Sequence, residues 1–192
     1  MKRILIINGH PDSESYNYAL AKAYQEGAIA AGAKPEVLNL AELQFDPNLR
    51  FGYRKRSPWE PDLEAAMEKI QQADHLVWVF PLWWYGLPAM MKGFIDRTFL
   101  PGITFQPIPG KPLPKKLMKG KTARIIVTAD TPGWYHRLFM HRPVIHQFKQ
   151  GTLEFCGIKP VKVTYIAMIK DSTDQFRAKC LRKVKAVGAK LG

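Results

Sequence analysis

The sequence predicts an α/β protein in which helices cover both faces of a five-stranded parallel sheet, an arrangement called doubly wound. Two observations carry this prediction. Five short runs of apolar, β-forming residues are continuous stretches that do not alternate between apolar and polar residues. This pattern is typical of strands that are buried on both faces. Helical patterns separate these runs, so that strand and helix alternate along the chain.

The strands are expected at residues 4–7, 37–40, 76–80, 123–128 and 161–166, and the second run is the weakest. The helices are expected at residues 18–31, 63–72, 88–99, 143–155 and 174–187. Gly32 suits the end of the first helix, and Pro88 suits the first turn of the third. Residues 171–174 offer several N-caps to the last helix. The long segments 43–61 and 101–120 are expected to be irregular, and loops of this length usually bind something or cover an interface.

Length and composition predict one globular domain. The chain has 192 residues, and 46% of them are hydrophobic, which is typical of a domain with one buried core. The apolar run at 4–7 is too short for a signal peptide, and no run approaches the roughly 20 apolar residues of a membrane span. We therefore expect a cytoplasmic protein whose two cysteines, Cys156 and Cys180, are buried or half-buried thiols. No Cys/His spacing resembles a zinc site, so no metal is expected.

The chain is strongly basic, with a formal net charge of +13 and a pI of about 9.8. Such a balance favours anionic partners, which include nucleic acid, an anionic membrane surface and a phosphate-bearing cofactor. The basic residues are dispersed, however, and no helix-turn-helix, zinc-finger or RNA-binding pattern accompanies them. We therefore expect no nucleic-acid partner. The basic surface either binds an anionic partner of another kind or is simply exposed to solvent.

The loop after strand one is a candidate phosphate site. With five strands, the order 2-1-3-4-5 places the ends of strands one and three side by side, where ligands of such sheets bind. Residues 8–17 (NGHPDSESYN) lead from strand one into a helix, and a helix N-terminus attracts phosphate through its free N–H groups. His10, Ser13, Ser15 and Asn17 add possible side-chain donors. Ser15 can equally serve as the N-cap of that helix.

The loop after strand three is a candidate ring-binding site. Residues 80–88 (FPLWWYGLP) place Trp83, Trp84 and Tyr85 between two prolines. A loop can present all three rings in one direction, and such an aromatic wall beside a phosphate cradle suits a flat ligand with a phosphate tail. The alternative is that these rings pack in the core or at a subunit interface. After strand four, Thr128 and Thr131 can hydrogen-bond the polar edge of a ring.

These segments resemble the flavodoxin-fold NAD(P)H:quinone oxidoreductases of the DT-diaphorase type. The match is carried by GHPDSESYNYAL (9–20), ADHLVWVFPLWWYGLPAMMKGFIDRTF (73–99), VTADTPGWY (127–135) and GTLEFCGIKPV (151–161), in the family's order over nearly the whole chain. The second segment is quite specific, whereas the first is not specific by itself. The resemblance implies a flavodoxin-like fold.

The resemblance also implies a bound flavin and assigns residues to it. The residues implied to contact its phosphate side are His10, Ser15, Tyr16 and Asn17. Those implied to line the isoalloxazine, through backbone amides as well as rings, are Pro81, Leu82, Trp83, Trp84 and Tyr85. Those implied at the polar edge of the ring are Thr128, Ala129, Asp130 and Thr131. The implied catalytic residues are Tyr135 and His141, which match the spacing of a family tyrosine and histidine that support charge on the reduced flavin and face the substrate.

The chain departs from the family in two respects. The family's Thr-Thr-Gly-Gly loop reads Thr-Ala-Asp-Thr at 128–131, and a carboxylate beside a ring that becomes anionic is unfavourable. Asp130 is therefore expected to point away or to be otherwise engaged. The loop around Arg54 is shorter than in larger members, and the C-terminal extension of those members is missing. Both differences favour FMN over FAD, although compact relatives with FAD exist.

The activity implied by the resemblance is the transfer of two electrons from NAD(P)H through the flavin to a quinone or similar flat acceptor, in a ping-pong sequence. Trp84, Tyr85 and Phe105 would form the stacking slot, and the basic loops at 54–56 and 111–121 would attract the nucleotide phosphates. A homodimer with shared active sites is implied as well. The alternatives are an FMN or azo reductase, which differs only in its acceptor, and a flavin-binding ancillary subunit of a potassium-efflux system, docked on a membrane transporter. An electron-carrier flavodoxin is disfavoured by the basic charge.

Overall fold

The computed structural model of the chain describes residues 1–191. Its main sheet has five parallel strands in the order β2-β1-β3-β6-β7, which are β1 (Arg3–Asn8), β2 (Lys34–Asn39), β3 (His75–Pro81), β6 (Thr122–Thr128) and β7 (Val161–Ile166). The remaining two strands, β4 (Phe105–Gln106) and β5 (Lys115–Lys116), form a small antiparallel hairpin outside this sheet. The predicted order 2-1-3-4-5 is confirmed, because the hairpin only interrupts the chain between the third and fourth strands of the sheet.

Helices cover both faces of the sheet. On one face lie α1 (Tyr16–Ala30) and α6 (Asp174–Ala189). On the other lie α2 (Pro61–Gln72), α3 (Ala89–Thr98) and α5 (Pro143–Ile145), which continues as a π-helical segment, His146–Glu154. A short helix, α4 (Gly133–Leu138), follows β6, and a 3₁₀ turn, Leu40–Glu42, follows β2. Within residues 1–191, none of the helices is both long and apolar enough to cross a bilayer.

The core follows from the two-residue period of the strands. In β1, Ile4 and Ile6 belong to the cluster under α1 and α6, whereas Leu5 and Ile7 belong to the cluster on the opposite face. Successive side chains of a strand point to opposite faces, so a continuous apolar run is what a two-faced sheet requires. Every residue of the central strand β3 is buried, and this strand positions the aromatic loop that follows it.

Three local predictions need correction. No helix was predicted between residues 128 and 143, but the segment that contains Tyr135 forms α4. The segment 101–120 was expected to be irregular, but it contains the β4–β5 hairpin. The second strand runs from Lys34 to Asn39 and not over the predicted 37–40. It ends before Leu40 because that residue starts the 3₁₀ turn.

The irregular segment 43–61 is held against α3 by a buried arginine. Arg97 is only 3% exposed, and its guanidinium donates to the Glu60 carboxylate at 2.8 Å and to the carbonyl of Pro58 at 2.9 Å. A buried guanidinium needs this number of acceptors to offset its lost hydration. The Trp59 indole N–H in turn donates to the carbonyl of Arg97 at 2.6 Å. The segment is therefore fixed to the fold at its C-terminal end.

Candidate functional site

Three loops meet at the carboxyl edge of the sheet. Asn8 at the end of β1 lies beside Val79 of β3, and Pro81 at the end of β3 lies beside Thr128 at the end of β6. The N–H of Gly9 donates to the carbonyl of Val79 at 2.9 Å, and the N–H of Leu82 donates to the carbonyl of Thr128 at 2.7 Å. The loops that follow β1, β3 and β6 therefore start side by side, as the strand order requires.

The loop after β1 ends at an uncapped helix. Ser15 occupies the N-cap position of α1 with extended backbone angles, yet its side chain makes no capping hydrogen bond. Its hydroxyl is buried and has no hydrogen-bond partner within residues 1–191. No acidic residue lies in the first turn of α1. Both the free first-turn N–H groups and this hydroxyl are therefore available to an anion, and Ser15 does not serve as an ordinary N-cap.

His10 closes one side of this loop. Its Nδ1 accepts a hydrogen bond from the N–H of Asp12 at 3.0 Å, so in the neutral ring the proton lies on Nε2, which can donate to a ligand. Burial lowers the pKa of His10, and the nearby Asp12 carboxylate partly opposes this shift. The imidazole meets the Trp83 ring edge-on, with 5.5 Å between the ring centroids. This contact joins the β1 loop to the β3 loop.

Tyr16 and Asn17 are already engaged within the protein. The Tyr16 hydroxyl donates to the carbonyl of Arg177 in α6 at 2.7 Å, and burial raises its pKa to about 12. The Arg177 guanidinium lies 5.8 Å from the Tyr16 ring centroid, which brings a cation close to the start of α1. The buried Asn17 accepts from the Thr128 hydroxyl through Oδ1 at 3.1 Å. These two side chains position the loop, and their backbone belongs to the first turn of the helix.

The aromatic loop after β3 is a strained tight turn. Trp83 and Gly86 exchange backbone hydrogen bonds of 3.3 and 2.8 Å, and the two residues between them have left-handed backbone angles, with φ of 49° for Trp84 and 58° for Tyr85. Large side chains rarely adopt this conformation, and residues held in it cluster at binding and catalytic sites. In residues 1–191, the N–H groups of Trp84 and Tyr85 make no hydrogen bond, so both can bind a ligand.

The three rings of this turn do not form the continuous wall that the sequence led us to expect. Trp83 faces His10, Tyr85 stacks on His136 with 6.1 Å between centroids, and Trp84 is 100% exposed. The tight turn causes this spread, because it reverses the chain between Trp83 and Gly86. Pro81 is buried, and Leu82 packs against the core. The ring-binding surface of this loop is therefore its backbone together with separate side chains.

The loop after β6 is braced against the segment that follows β7. The carboxylate of Asp130 accepts from the N–H of Lys170 at 2.7 Å, so it is engaged, as the sequence led us to expect. The N–H of the buried Ala129 donates to the carbonyl of Ile166 at 2.9 Å. The Thr131 hydroxyl lies 3.5 Å from the Tyr85 hydroxyl, which links this loop to the aromatic turn. The Thr128 hydroxyl already donates to Asn17, so the Thr131 hydroxyl is the more accessible of the two.

Tyr135 and His141 lie on either side of the end of α4. Tyr135 is 38% exposed and stacks on Phe139, with 5.2 Å between centroids. His141 is exposed and has a left-handed φ of 53°. Among the described residues, neither the Tyr135 hydroxyl nor the His141 ring has a hydrogen-bond partner. Both are therefore free to act on a substrate that lies over this edge of the sheet.

Sequence reasoning missed two residues of this region, His136 and Tyr165. Their rings stack with 4.7 Å between centroids, and His136 also stacks on Tyr85. The Tyr165 hydroxyl donates to the carbonyl of Thr131 at 2.9 Å, and burial raises its pKa to about 12. The position of Tyr165 one residue before the end of β7 was the only signal in the sequence. Phe105, expected in the stacking slot, instead contacts Phe155 beside α3.

The residues present fit a flavin. The unpaired Ser15 hydroxyl and the uncapped start of α1 suit a phosphate, and the free amides of the aromatic turn lie on the neighbouring loop at the same sheet edge. A groove of about 680 Å³ adjoins this edge, and its lining includes Pro11, Trp83 and residues of α3. In residues 1–191, His, Cys, Asp and Glu form no cluster of three or more that could hold a metal ion.

Comparison with known proteins identifies the family. A family model described as having a flavodoxin-like fold matches residues 2–187. The chain belongs to this family. The NAD(P)H dehydrogenase [quinone] 1 of Cavia porcellus is 29% identical in an alignment that covers 83% of this chain and 66% of that relative. The resemblance to NAD(P)H:quinone oxidoreductases that the sequence suggested is thereby confirmed.

Two solved structures show how widely the fold is shared. The NAD(P)H:quinone oxidoreductase from Methanothermobacter marburgensis superimposes with a TM-score of 0.85 at 23% identity, covering 99% of this chain and 96% of that one. An FMN-dependent NADH-azoreductase from Bacillus anthracis, in complex with FMN, gives a TM-score of 0.74 at 18% identity, covering 100% of this chain and 99% of that one. At these identities the likeness bears on the fold alone.

Proposed function

We propose that this protein is a flavin-dependent oxidoreductase that passes two electrons from NAD(P)H to a quinone or a similar flat acceptor. The observation that carries the proposal is the pairing, at one sheet edge, of an uncapped helix start holding the unpaired Ser15 hydroxyl with a strained aromatic turn whose amides are free. A homologue named as an NAD(P)H dehydrogenase [quinone] supports the class of enzyme. An azoreductase that shares only the fold was solved in complex with FMN, so the fold is compatible with a bound flavin.

The chain's own residues have distinct tasks in this proposal. A bound flavin would supply the redox chemistry, accepting two electrons from the nucleotide and releasing them to the acceptor. Ser15, the first turn of α1 and the Nε2 proton of His10 would hold the phosphate. The free amides of Trp84 and Tyr85 would fix the ring. Tyr135 and His141 would donate hydrogen bonds to an oxygen that gains negative charge.

The finer parts of the proposal are FMN as the cofactor, a ping-pong order and a homodimer. FMN is favoured because the loop around Arg54 is shorter than in larger members of the family. A ping-pong order is expected because nucleotide and acceptor would take the same place in turn. A homodimer is supported by exposed apolar side chains that surround the site and would be covered by a second copy, namely Trp84, Trp134, Leu138 and Phe139.

The first experiment is to purify the protein, record its visible spectrum and identify any released flavin by mass. We expect a yellow protein whose absorption band at about 450 nm, a general property of flavins, bleaches when NADH or NADPH is added without oxygen. FAD instead of FMN in the mass spectrum would overturn only the choice of flavin. A colourless protein that also fails to bind either added flavin would overturn the whole proposal.

Three further measurements test the reaction order, the oligomeric state and the acceptor. Double-reciprocal plots at several acceptor concentrations should give parallel lines, and intersecting lines would exclude the ping-pong order. Sedimentation velocity should show one species of twice the chain mass, whereas a monomer at micromolar concentration would contradict the shared interface. Rates with a quinone and with an azo dye, compared as kcat/KM, decide between a quinone reductase and an azo reductase.

A further inference from the structure

A second polar cavity lies outside the candidate flavin site. It has a volume of about 650 Å³ and opens between α4, α5 with its π-helical continuation, and the edge strand β7. Three of its eleven lining residues, Arg137, Arg142 and Lys149, are cations on the helix side of the sheet, and none of the eleven is Asp or Glu. The cavity is therefore positive, and small anions are the ligands that such a field attracts.

The protein supplies few counter-charges to this cavity. Within residues 1–191, the side chains of Arg137 and Arg142 form no ion pair and no hydrogen bond. Lys149 has a carboxylate neighbour in Glu154, but the two charged atoms are 3.9 Å apart, which is too long for a hydrogen bond. These three cations can all turn their donors to a ligand.

One buried side chain of the cavity lining has a polar atom without a partner. His136 is 2% exposed, and its Nε2 has no hydrogen-bond partner within residues 1–191. Arg124 also borders the cavity, but its side chain extends to the α1 and α6 face of the sheet, where Nη1 donates to the Thr164 hydroxyl at 2.9 Å. Buried polar atoms almost always find a partner, and those that do not often mark a bound ion or water. Burial and the charge of Arg142 lower the pKa of His136, so its neutral ring offers one N–H.

The backbone at the rim of the cavity is strained. His141 and Arg142 have consecutive left-handed φ values of 53° and 51°, and arginine is not one of the residues that favour this region. The N–H of Arg142 donates to the carbonyl of His136 at 3.0 Å. The turn thus holds Arg142 beside His136, and strain of this kind is retained mainly where it positions a functional group.

We propose that this cavity binds the phosphate group of a small molecule. Phosphate is the chemistry that fits best, because a dianion with several acceptor oxygens can satisfy guanidinium groups in pairs, whereas a chloride ion cannot. The cavity is distinct from the flavin crevice, since its lining includes no residue of the three crevice loops at 8–17, 80–88 and 128–131. The stacked rings of Tyr85, His136 and Tyr165 connect the two places. Two sources carry this group: the 2′-phosphate of NADPH, and a free phosphate or phosphorylated metabolite.

Direct binding of inorganic phosphate tests the proposal without any need for turnover. Isothermal titration at constant ionic strength, with chloride as the background anion, should show saturable binding to the wild-type protein. The double substitution R137Q/R142Q should weaken this binding at least about tenfold, because two charge-assisted contacts are lost. The matched control is R182Q, which removes one exposed charge from α6 on the other face of the sheet and should change the affinity less than about twofold. Absence of saturable binding, or an equal loss in R182Q, would overturn the proposal.

A second measurement uses only the wild-type protein and so does not depend on the folding of a variant. Phosphate should protect Arg137 and Arg142, but not Arg182, from modification by phenylglyoxal, as read by peptide mass spectrometry. Equal modification of all three arginines with and without phosphate would contradict the site.

Steady-state kinetics then separate the two sources. If the ligand is the 2′-phosphate of NADPH, R137Q should raise KM for NADPH about fivefold or more and leave KM for NADH unchanged. If the ligand is a separate phosphate compound, both KM values should stay unchanged while phosphate binding is lost. Phosphate binding requires neither flavin nor NAD(P)H, so failure of the proposed function leaves this test intact.

Discussion

A serine and a threonine at the N-cap positions of two helices use their hydroxyls differently. Thr173 caps α6 by accepting from the N–H of Phe176 at 3.2 Å, whereas the buried Ser15 hydroxyl at α1 accepts from no N–H. We predict that Ser15→Ala weakens flavin binding about tenfold, because a phosphate contact is lost, and leaves the free energy of unfolding of the flavin-free protein nearly unchanged. Flavin titration and urea unfolding measure the two effects.

Thr173→Ala is the matched control for this prediction. It should cost about 1 kcal/mol of unfolding free energy, as the loss of a helix cap does, and should leave flavin affinity unchanged. A Ser15→Ala variant that binds flavin as tightly as the wild type would show that this hydroxyl does not contact the cofactor.

A buried histidine at the start of β3 should make stability depend on pH. His75 is held between the Tyr24 hydroxyl at 3.2 Å and the Thr122 hydroxyl at 2.6 Å. Burial, with the nearby charges of Lys2 and Arg124, lowers its pKa from 6.5 to about 4. Between these pH values His75 binds a proton in the unfolded chain but not in the folded protein. The stability that depends on neutral His75 is therefore fully present above pH 6.5 and falls as the pH is lowered. The loss due to His75 should reach on the order of 3 kcal/mol at pH 4.

Urea unfolding of the wild type and of His75→Gln between pH 7 and pH 4 measures this effect as the difference between the two curves. Carboxylates also titrate in this range, but they contribute equally to both proteins. His146→Gln, which alters an exposed histidine, should follow the wild-type curve. Parallel curves for the wild type and His75→Gln would mean that His75 is protonated in the folded state.

At the scale of elements, the strands were predictable because their signal is local. The run at 161–166 (VKVTYI) was predicted with the bounds that β7 has in the structure, since five of its six residues are β-branched or aromatic and favour strands. Gly32 follows α1 with a φ of 76°, as its role after the helix end requires. The hairpin β4–β5 and the helix α4 were missed for a physical reason. Strands of two residues and a helix of six are too short to show a period, and contacts with the rest of the fold determine them.

The close packing of α1 on α6 depends on two glycines: Gly27 of α1, which faces α6, and Gly188 of α6, which faces α1. A Cβ on Gly27 would lie 2.0 Å from the carbonyl oxygen of Lys185, and a Cβ on Gly188 would lie 2.3 Å from that of Tyr24. We predict that Gly27→Ala lowers the free energy of unfolding by about 2 kcal/mol or more, although alanine is the better helix former, because the two backbones must move apart. Thermal or urea unfolding measures the change.

Gly133→Ala is the control for this helix contact, because its added Cβ would meet only the Tyr165 ring, at 3.6 Å, which is an ordinary contact. This variant should change stability by less than about 0.5 kcal/mol. If Gly27→Ala were as stable as Gly133→Ala, α1 and α6 would not be packed as closely as the structure shows.

At the scale of the whole molecule, the sequence predicted which loops form the candidate site but not how they interlock. Residues 8–17, 80–88 and 128–131 follow three strands whose order could be inferred, so their common edge could be inferred too. The stacking of Tyr85, His136 and Tyr165 joins residues far apart in the chain, and no local pattern specifies such a contact. The same holds for the basic cavity, whose residues come from four separate elements.

The net charge of +13 acts over the whole surface, and we predict that it speeds the encounter with the nucleotide. NADPH carries one phosphate more than NADH, so its kcat/KM should fall several-fold as sodium chloride is raised from about 20 to about 200 mM, and more steeply than that of NADH, because salt screens the attraction. Stopped-flow oxidation of the reduced protein by a neutral quinone is the internal control, since an uncharged partner feels no such field and its rate should stay constant. Equal salt dependence for NADPH, NADH and the quinone would mean that salt alters the protein itself, and that the basic surface does not guide the nucleotide.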